Sequence, residues 1–114
     1  MRIIIAFCLV FMALTPKSEA SYSGIERQKY GCAAKKPKNC LFLGAMYEDG
    51  TGVPQDYVKA YMSYSLAEFF GKPEVSKSAV KLRNLVAKIM TAEQITEAQN
   101  LASECMANNL KDCL

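Results

Sequence analysis

Apolar and polar positions alternate at a helical period through most of the chain, and most clearly between Leu43 and Gly71. Leu43, Met46, Tyr47 and Gly50 fall on one face of a first helix, with Gly44 on the same side, where a missing side chain lets a neighbouring helix come close. Gly50 and Gly52 flank a break, Pro54 bars helix from the residue before it, and Asp56 is placed to cap a second helix. That second helix carries two apolar stripes: Tyr57, Ala60, Tyr61, Tyr64 and Ala67 on one side, Val58, Met62, Leu66 and Phe69 on another. Two stripes predict a helix packed on both sides. Gly71 and Pro73 end it.

A third helix is predicted over 75–90, with Val75, Ala79, Leu82, Val86 and Ile89 inward and Lys77, Lys81, Asn84 and Lys88 outward. Thr91 to Gln94 reads as a capping box that starts a fourth, whose inner face is Ile95, Ala98, Leu101, Ala102 and Cys105. Asn108-Asn109 favours a turn before Cys113. Upstream, Tyr22, Ile25 and Cys32 mark one side of a short helix that Gly24 and Gly31 weaken. The alternation a strand needs is absent, so the expectation is all-α, built as antiparallel helix hairpins.

Residues 1–20 read as a secretory signal. Arg2 precedes twelve apolar residues, Ile3 to Leu14, then Pro16 and the small-residue site Ser18-Glu19-Ala20. A run of that length falls short of the roughly twenty residues that span a bilayer. Cleavage after Ala20 leaves one domain of 94 residues (114 − 20), and its net charge falls from +3 to +2 as Arg2, Lys17 and Glu19 depart. So mild a balance argues against nucleic-acid binding, and Lys35, Lys36 and Lys38 around Pro37 read as a solvated turn. No membrane span is expected after cleavage.

Losing Cys8 with the signal leaves Cys32, Cys40, Cys105 and Cys113, two pairs with the same C-x7-C spacing. An even count in an exported chain argues for disulfides, and four cysteines allow three connectivities. Redox catalysis would need a close pair such as C-x-x-C, which is absent.

The residues from Leu43 to Gly71 resemble the Sel-1-like repeat family, a relative of the tetratricopeptide repeats. The family pattern is met by Leu43, Gly44, Tyr47, Gly50, Gly52, Val53, Asp56, Tyr57, Lys59, Ala60, Tyr64, Ala67 and Gly71. It departs from the pattern at Ser63, where a tryptophan is common, and at Glu68, where an alanine is common. The resemblance implies a short α-solenoid with a core repeat at 40–71 and a C-terminal helix pair at 75–107. It also implies bridges Cys32–Cys40 and Cys105–Cys113, as in a cysteine-rich secreted branch of the family. The helical reading agrees, placing Cys32 and Cys40 across a turn between antiparallel helices, and Cys105 and Cys113 likewise.

Chemistry is sparse. With no histidine, Ser/His/Asp and Cys/His catalysis and histidine-based zinc sites are excluded, and C-x7-C fits zinc poorly. Neither a metal nor a cofactor is expected. Glu48, Asp49 and Asp56 around the glycine loop read as a solvated loop with an N-cap. Ser78-Ala79-Val80-Lys81 matches the S-x-x-K of penicillin-recognising enzymes but lacks S-D-N and K-T-G companions. The alternative function it raises, weak penicillin binding or β-lactam hydrolysis, enters through the family resemblance. The expected function is protein binding by an exported adaptor, regulator or effector inhibitor. The candidate face is Glu48, Asp49, Gln55, Lys59, Ser63 and Glu68, all expected to be exposed, with Tyr47, Tyr57, Tyr61 and Tyr64 read mainly as core.

Overall fold

A computed structural model describes residues 17–114, with side chains from Gly24 onward. The apolar run of residues 3–14 lies outside the described residues, and Ala20 falls in the first turn of a helix. Five helices follow in order: α1 (Lys17–Ala33), α2 (Pro37–Asp49), α3 (Tyr57–Phe70), α4 (Pro73–Ala87) and α5 (Ala92–Ala107). No strand occurs among the described residues, and the fold is all-α.

Local chemistry sets most of the helix ends. Asp56 caps α3 by accepting the Lys59 N–H at 3.0 Å. Thr91 and Gln94 form the expected capping box of α5: the Gln94 N–H donates to the Thr91 hydroxyl at 3.1 Å, and the Thr91 N–H donates to the Gln94 side chain at 2.9 Å. Gly50, at φ 71°, closes α2 with its N–H on the Met46 carbonyl. Helix α1 ends in a Schellman turn. The Lys36 N–H donates to the Gly31 carbonyl at 3.0 Å, and the Lys35 N–H to the Cys32 carbonyl at 2.9 Å. Helix α5 ends the same way, with Leu110 on Cys105 at 2.8 Å and Asn109 on Met106 at 3.1 Å.

The left-handed residue of the α1 turn is Lys35, at φ 63°. A side chain there carries a steric penalty of about 1 kcal/mol that glycine escapes. Glycine gains more freedom in the unfolded chain, so Lys35→Gly is expected to stabilise by a net of about 0.5 kcal/mol. Thermal melts of the oxidised protein should then rise by a few degrees. An unchanged or lower melting temperature would mean that the turn is not held in this conformation.

Helix α1 is longer than its glycines predict, and Gly31 has a packing reason. A Cβ there would overlap the side chain of Asn39, whose Nδ2 donates to Gln28 Oε1 at 3.0 Å. The glycine thus makes room for a polar clip between α1 and α2 that outweighs its weak helix propensity.

Helix α3 is the hub, packed against α2, α4 and α5. Its predicted double stripe is largely buried: Ala60, Tyr61, Met62, Tyr64, Leu66 and Ala67 are inside. Three placements differ from the sequence expectation. Phe69 is 65% exposed, while its neighbour Phe70 turns partly inward and meets it edge to face. Ile89 is 60% exposed, because α4 ends at Ala87 and the helical period no longer aims Ile89 inward. Ser63 is fully buried, its hydroxyl donating to the Lys59 carbonyl one turn back at 2.8 Å.

The tightest contact in the core is between α2 and α3. The Tyr64 ring, 1% exposed, lies on the bare backbone of Gly44; a Cβ there would sit 2.5 and 2.6 Å from two ring carbons. At its far end the Tyr64 hydroxyl donates to Glu48 Oε1 at 2.7 Å.

Cys32 pairs with Cys40 and Cys105 with Cys113 at disulfide distance, with Cα separations of 4.6 and 5.5 Å. The first pair joins the last turn of α1 to the first turn of α2 and lies in the core. The second is different from the expected helix junction. No helix follows α5 among the described residues, and the pair folds a short tail back instead. Leu110 of that tail is buried, and Leu110, Asp112 and Leu114 line a cleft together with Lys29 and Tyr30 of α1.

Candidate functional site

The six residues expected to form one exposed face are divided by the fold. Glu48, Asp49, Gln55 and Lys59 gather at the end of the α2–α3 hairpin, where the Gln55 side chain donates to the Glu48 carbonyl at 2.8 Å. Lys59 Nζ sits 5.5 Å from the centre of the Tyr47 ring, a cation–π distance. Ser63 is a correction: it is core, and nothing outside the protein can reach it. Glu68 lies apart from the group, ion-paired with Arg83 of α4 at 3.0 Å, and the Arg83 guanidinium stacks over the Tyr61 ring at 5.6 Å.

Glu48 also has an internal task. Burial, and after it the hydrogen bond to Glu48, pushes the Tyr64 phenol well above its usual range. Tyr64 therefore remains a donor, and Glu48 is held as its acceptor. Tyr47 is raised as well, by burial first and then by the charges of Asp56 and Glu26. Of the face expected from the sequence, Asp49, Gln55 and Lys59 stay exposed.

Ser78 and Lys81 both project from α4 into solvent, and the Ser78 hydroxyl donates to the Glu74 carbonyl at 3.1 Å. Neither lines the cleft between the C-terminal tail and α1. Among the described residues no group of three or more histidine, cysteine or acidic side chains is placed to hold a metal ion.

A cleft lies at the other end of the hairpin. It measures about 580 Å3 and lies where the α1–α2 and α3–α4 turns come together. Because α2 and α3 run antiparallel, the start of α2 stands beside the end of α3, and the two turns become neighbours. Lys35, Lys36 and Lys38 come from the first turn and Lys72 from the second, and all four are exposed. Pro37, Phe70 and Val75 are half-buried and form the apolar floor. Lys35 Nζ lies 6.0 Å from the centre of the Phe70 ring, and Glu74 is the acidic member of the rim.

Both helices that open on this cleft begin alike. Lys36-Pro37 starts α2 and Lys72-Pro73 starts α4, and neither N-cap lysine caps its helix with its side chain. The partial positive charge of each helix start adds to the four ammonium groups. Read alone, the sequence places three of these lysines in a solvated turn and the fourth, Lys72, in a break before a helix. The signal it holds is the recurrence of the Lys-Pro pair, once before each of two helices.

Comparisons of the chain with models of protein families, with curated proteins and with solved structures find no match.

Proposed function

We propose that this protein is an exported, disulfide-stapled helical module of the Sel-1-like type. It binds another protein in the bacterial periplasm or outside the cell, as an adaptor, a regulator or an inhibitor of an effector. The observation that carries this reading is the cleft at the α1–α2 and α3–α4 turns, with charged side chains on its rim and an apolar floor. That composition serves recognition: the floor supplies contact area, and the rim selects by charge. The Leu43–Gly71 motif adds a scaffold type used for binding, and two cysteine pairs at disulfide distance fit an oxidising compartment. No helix among the described residues is long and apolar enough to cross a membrane.

The reading is tested with the protein recovered from its producing cell. Intact mass is expected to give a chain that starts at Ser21 and lacks four hydrogens, one pair per bridge. The protein, immobilised, is then expected to retain one protein from an envelope extract, released by excess free protein. Full-length chain with Met1 in the cytosol would overturn the export reading. Failure to retain any competable partner would overturn the binding reading.

A further inference from the structure

We infer that the lysine cleft takes an acidic peptide segment of the partner, anchored by one apolar side chain. The inference rests on the proposed protein-binding role and names the chemistry of the surface recognised.

Charge complementarity points to the occupant. Lys35, Lys36, Lys38 and Lys72 stand round one opening and, among the described residues that line it, Glu74 alone opposes them, so the rim has a local excess of positive charge on a chain whose whole net charge is +3. Four like charges held close repel one another, and an anionic ligand relieves that repulsion. The floor decides between anions. Phe70 and Val75 are half-buried and line the cleft that the exposed lysines surround, an apolar surface suited to a projecting side chain more than to a flat anionic bilayer. A free phosphate would leave this apolar floor unused. Glu74, on the same rim, can accept a backbone N–H from a peptide.

The size is consistent. A cleft of about 580 Å3 lies in the range of small-ligand sites and holds a few residues, not a folded domain. The lysines contribute as exposed charges, so the interaction is expected to be modest and sensitive to salt.

The test uses the oxidised protein and capped eight-residue peptides read by fluorescence anisotropy. One peptide carries Asp and Glu on both sides of a central Leu. A second replaces the acids by Asn and Gln, and a third replaces the Leu by Gly. The acidic Leu peptide is expected to bind roughly tenfold more tightly than the amide peptide at low salt, and to lose most of that preference in 0.5 M salt. Lys36→Gln with Lys72→Gln is expected to weaken it about fivefold, and Leu to Gly in the peptide about tenfold. Lys111→Gln, on the tail and outside the cleft, should change nothing. All three lysines are exposed, and Lys36→Gln alone serves if the pair melts early.

Equal binding of acidic and amide peptides, or binding indifferent to Lys36 and Lys72, overturns the inference. So does lysine-dependent binding to phosphatidylglycerol vesicles without preference for the acidic peptide, which would make the surface a membrane contact. The two readings fail separately. If the double variant still retains the captured envelope protein, the cleft inference falls and the binding module stands. If nothing is captured yet the peptide binds through these lysines, the reverse holds.

Discussion

Gly44→Ala is expected to destabilise the protein by about 2 kcal/mol, although alanine is the better helix former. In an open helix the substitution would add about 1 kcal/mol of stability. Here the new methyl meets the Tyr64 ring at 2.5 Å, and the ring is 1% exposed in a close-packed core. Its face is on the α2 backbone, its edge is in the core, and its hydroxyl is held by Glu48 at 2.7 Å. Helices α2 and α3 must separate, and the loss spreads to everything that packs on α3. For a domain of this size the melting temperature should fall by roughly ten degrees. Two companions make the outcome decisive. Tyr64→Phe removes the hydrogen bond but keeps the ring, so it should cost about 1 kcal/mol and leave the penalty at Gly44 in place. Tyr64→Leu empties the space above Gly44, and in that background Gly44→Ala should cost little. Equal costs for Gly44→Ala in both backgrounds would mean that the two residues do not meet.

The second large effect is expected at the bridge between α1 and α2. Replacing Cys32 and Cys40 together by serine should cost about 2–4 kcal/mol, of which the loop entropy of a closure of about nine residues supplies roughly 2.5. Both cysteines are fully buried, so the substitution also leaves two hydroxyls in an apolar site, which moves the result toward the upper end. Far-ultraviolet dichroism at low temperature should keep its helical signature, because the stripes of α3 and α4 close on each other without the bridge. The melting temperature is expected to drop by ten degrees or more. The corresponding change at Cys105 and Cys113 should cost less, because Cys113 is only partly buried and secures a tail, not a helix pair. A melt unchanged by loss of Cys32 and Cys40 would refute a stapling role.

What the sequence made legible is whatever is written locally. The Asp56 cap, the Thr91–Gln94 box and the break at Gly50 each depend on residues within one turn, and the helix ends stand where those residues place them. Gly44 was readable too, because a glycine on an apolar helix face has few other reasons to be there. The misread positions depend on how the helices pack, which no single turn contains. Gly31 looks like a helix breaker until Asn39 is seen to need its space. Ser63 looks like solvent-facing filler until its hydroxyl is found bonded within its own helix, which lets a polar side chain be buried at little cost. Phe69 and Phe70 compete for the same inward position at the end of α3, and neighbours in sequence cannot both take it. The lysine cleft was invisible for the same reason: it exists only once α2 and α3 lie side by side and bring two turns together.

The two Schellman turns bear on how such a chain reaches its folded state. Each cysteine pair is separated by 8 residues and lies across the end of one helix, so its thiols are brought together by structure that forms within that segment alone. Joining Cys40 to Cys105 would close a loop three doublings longer, at roughly 1.8 kcal/mol more chain entropy. That difference is about a twentyfold lower chance of encounter for the mispaired thiols. If the chain is exported as proposed, oxidation can therefore keep pace with it as it emerges, Cys32 and Cys40 joining before the later pair exists. Shuffled isomers are disfavoured by distance along the chain, with no need for a finished core to proofread them.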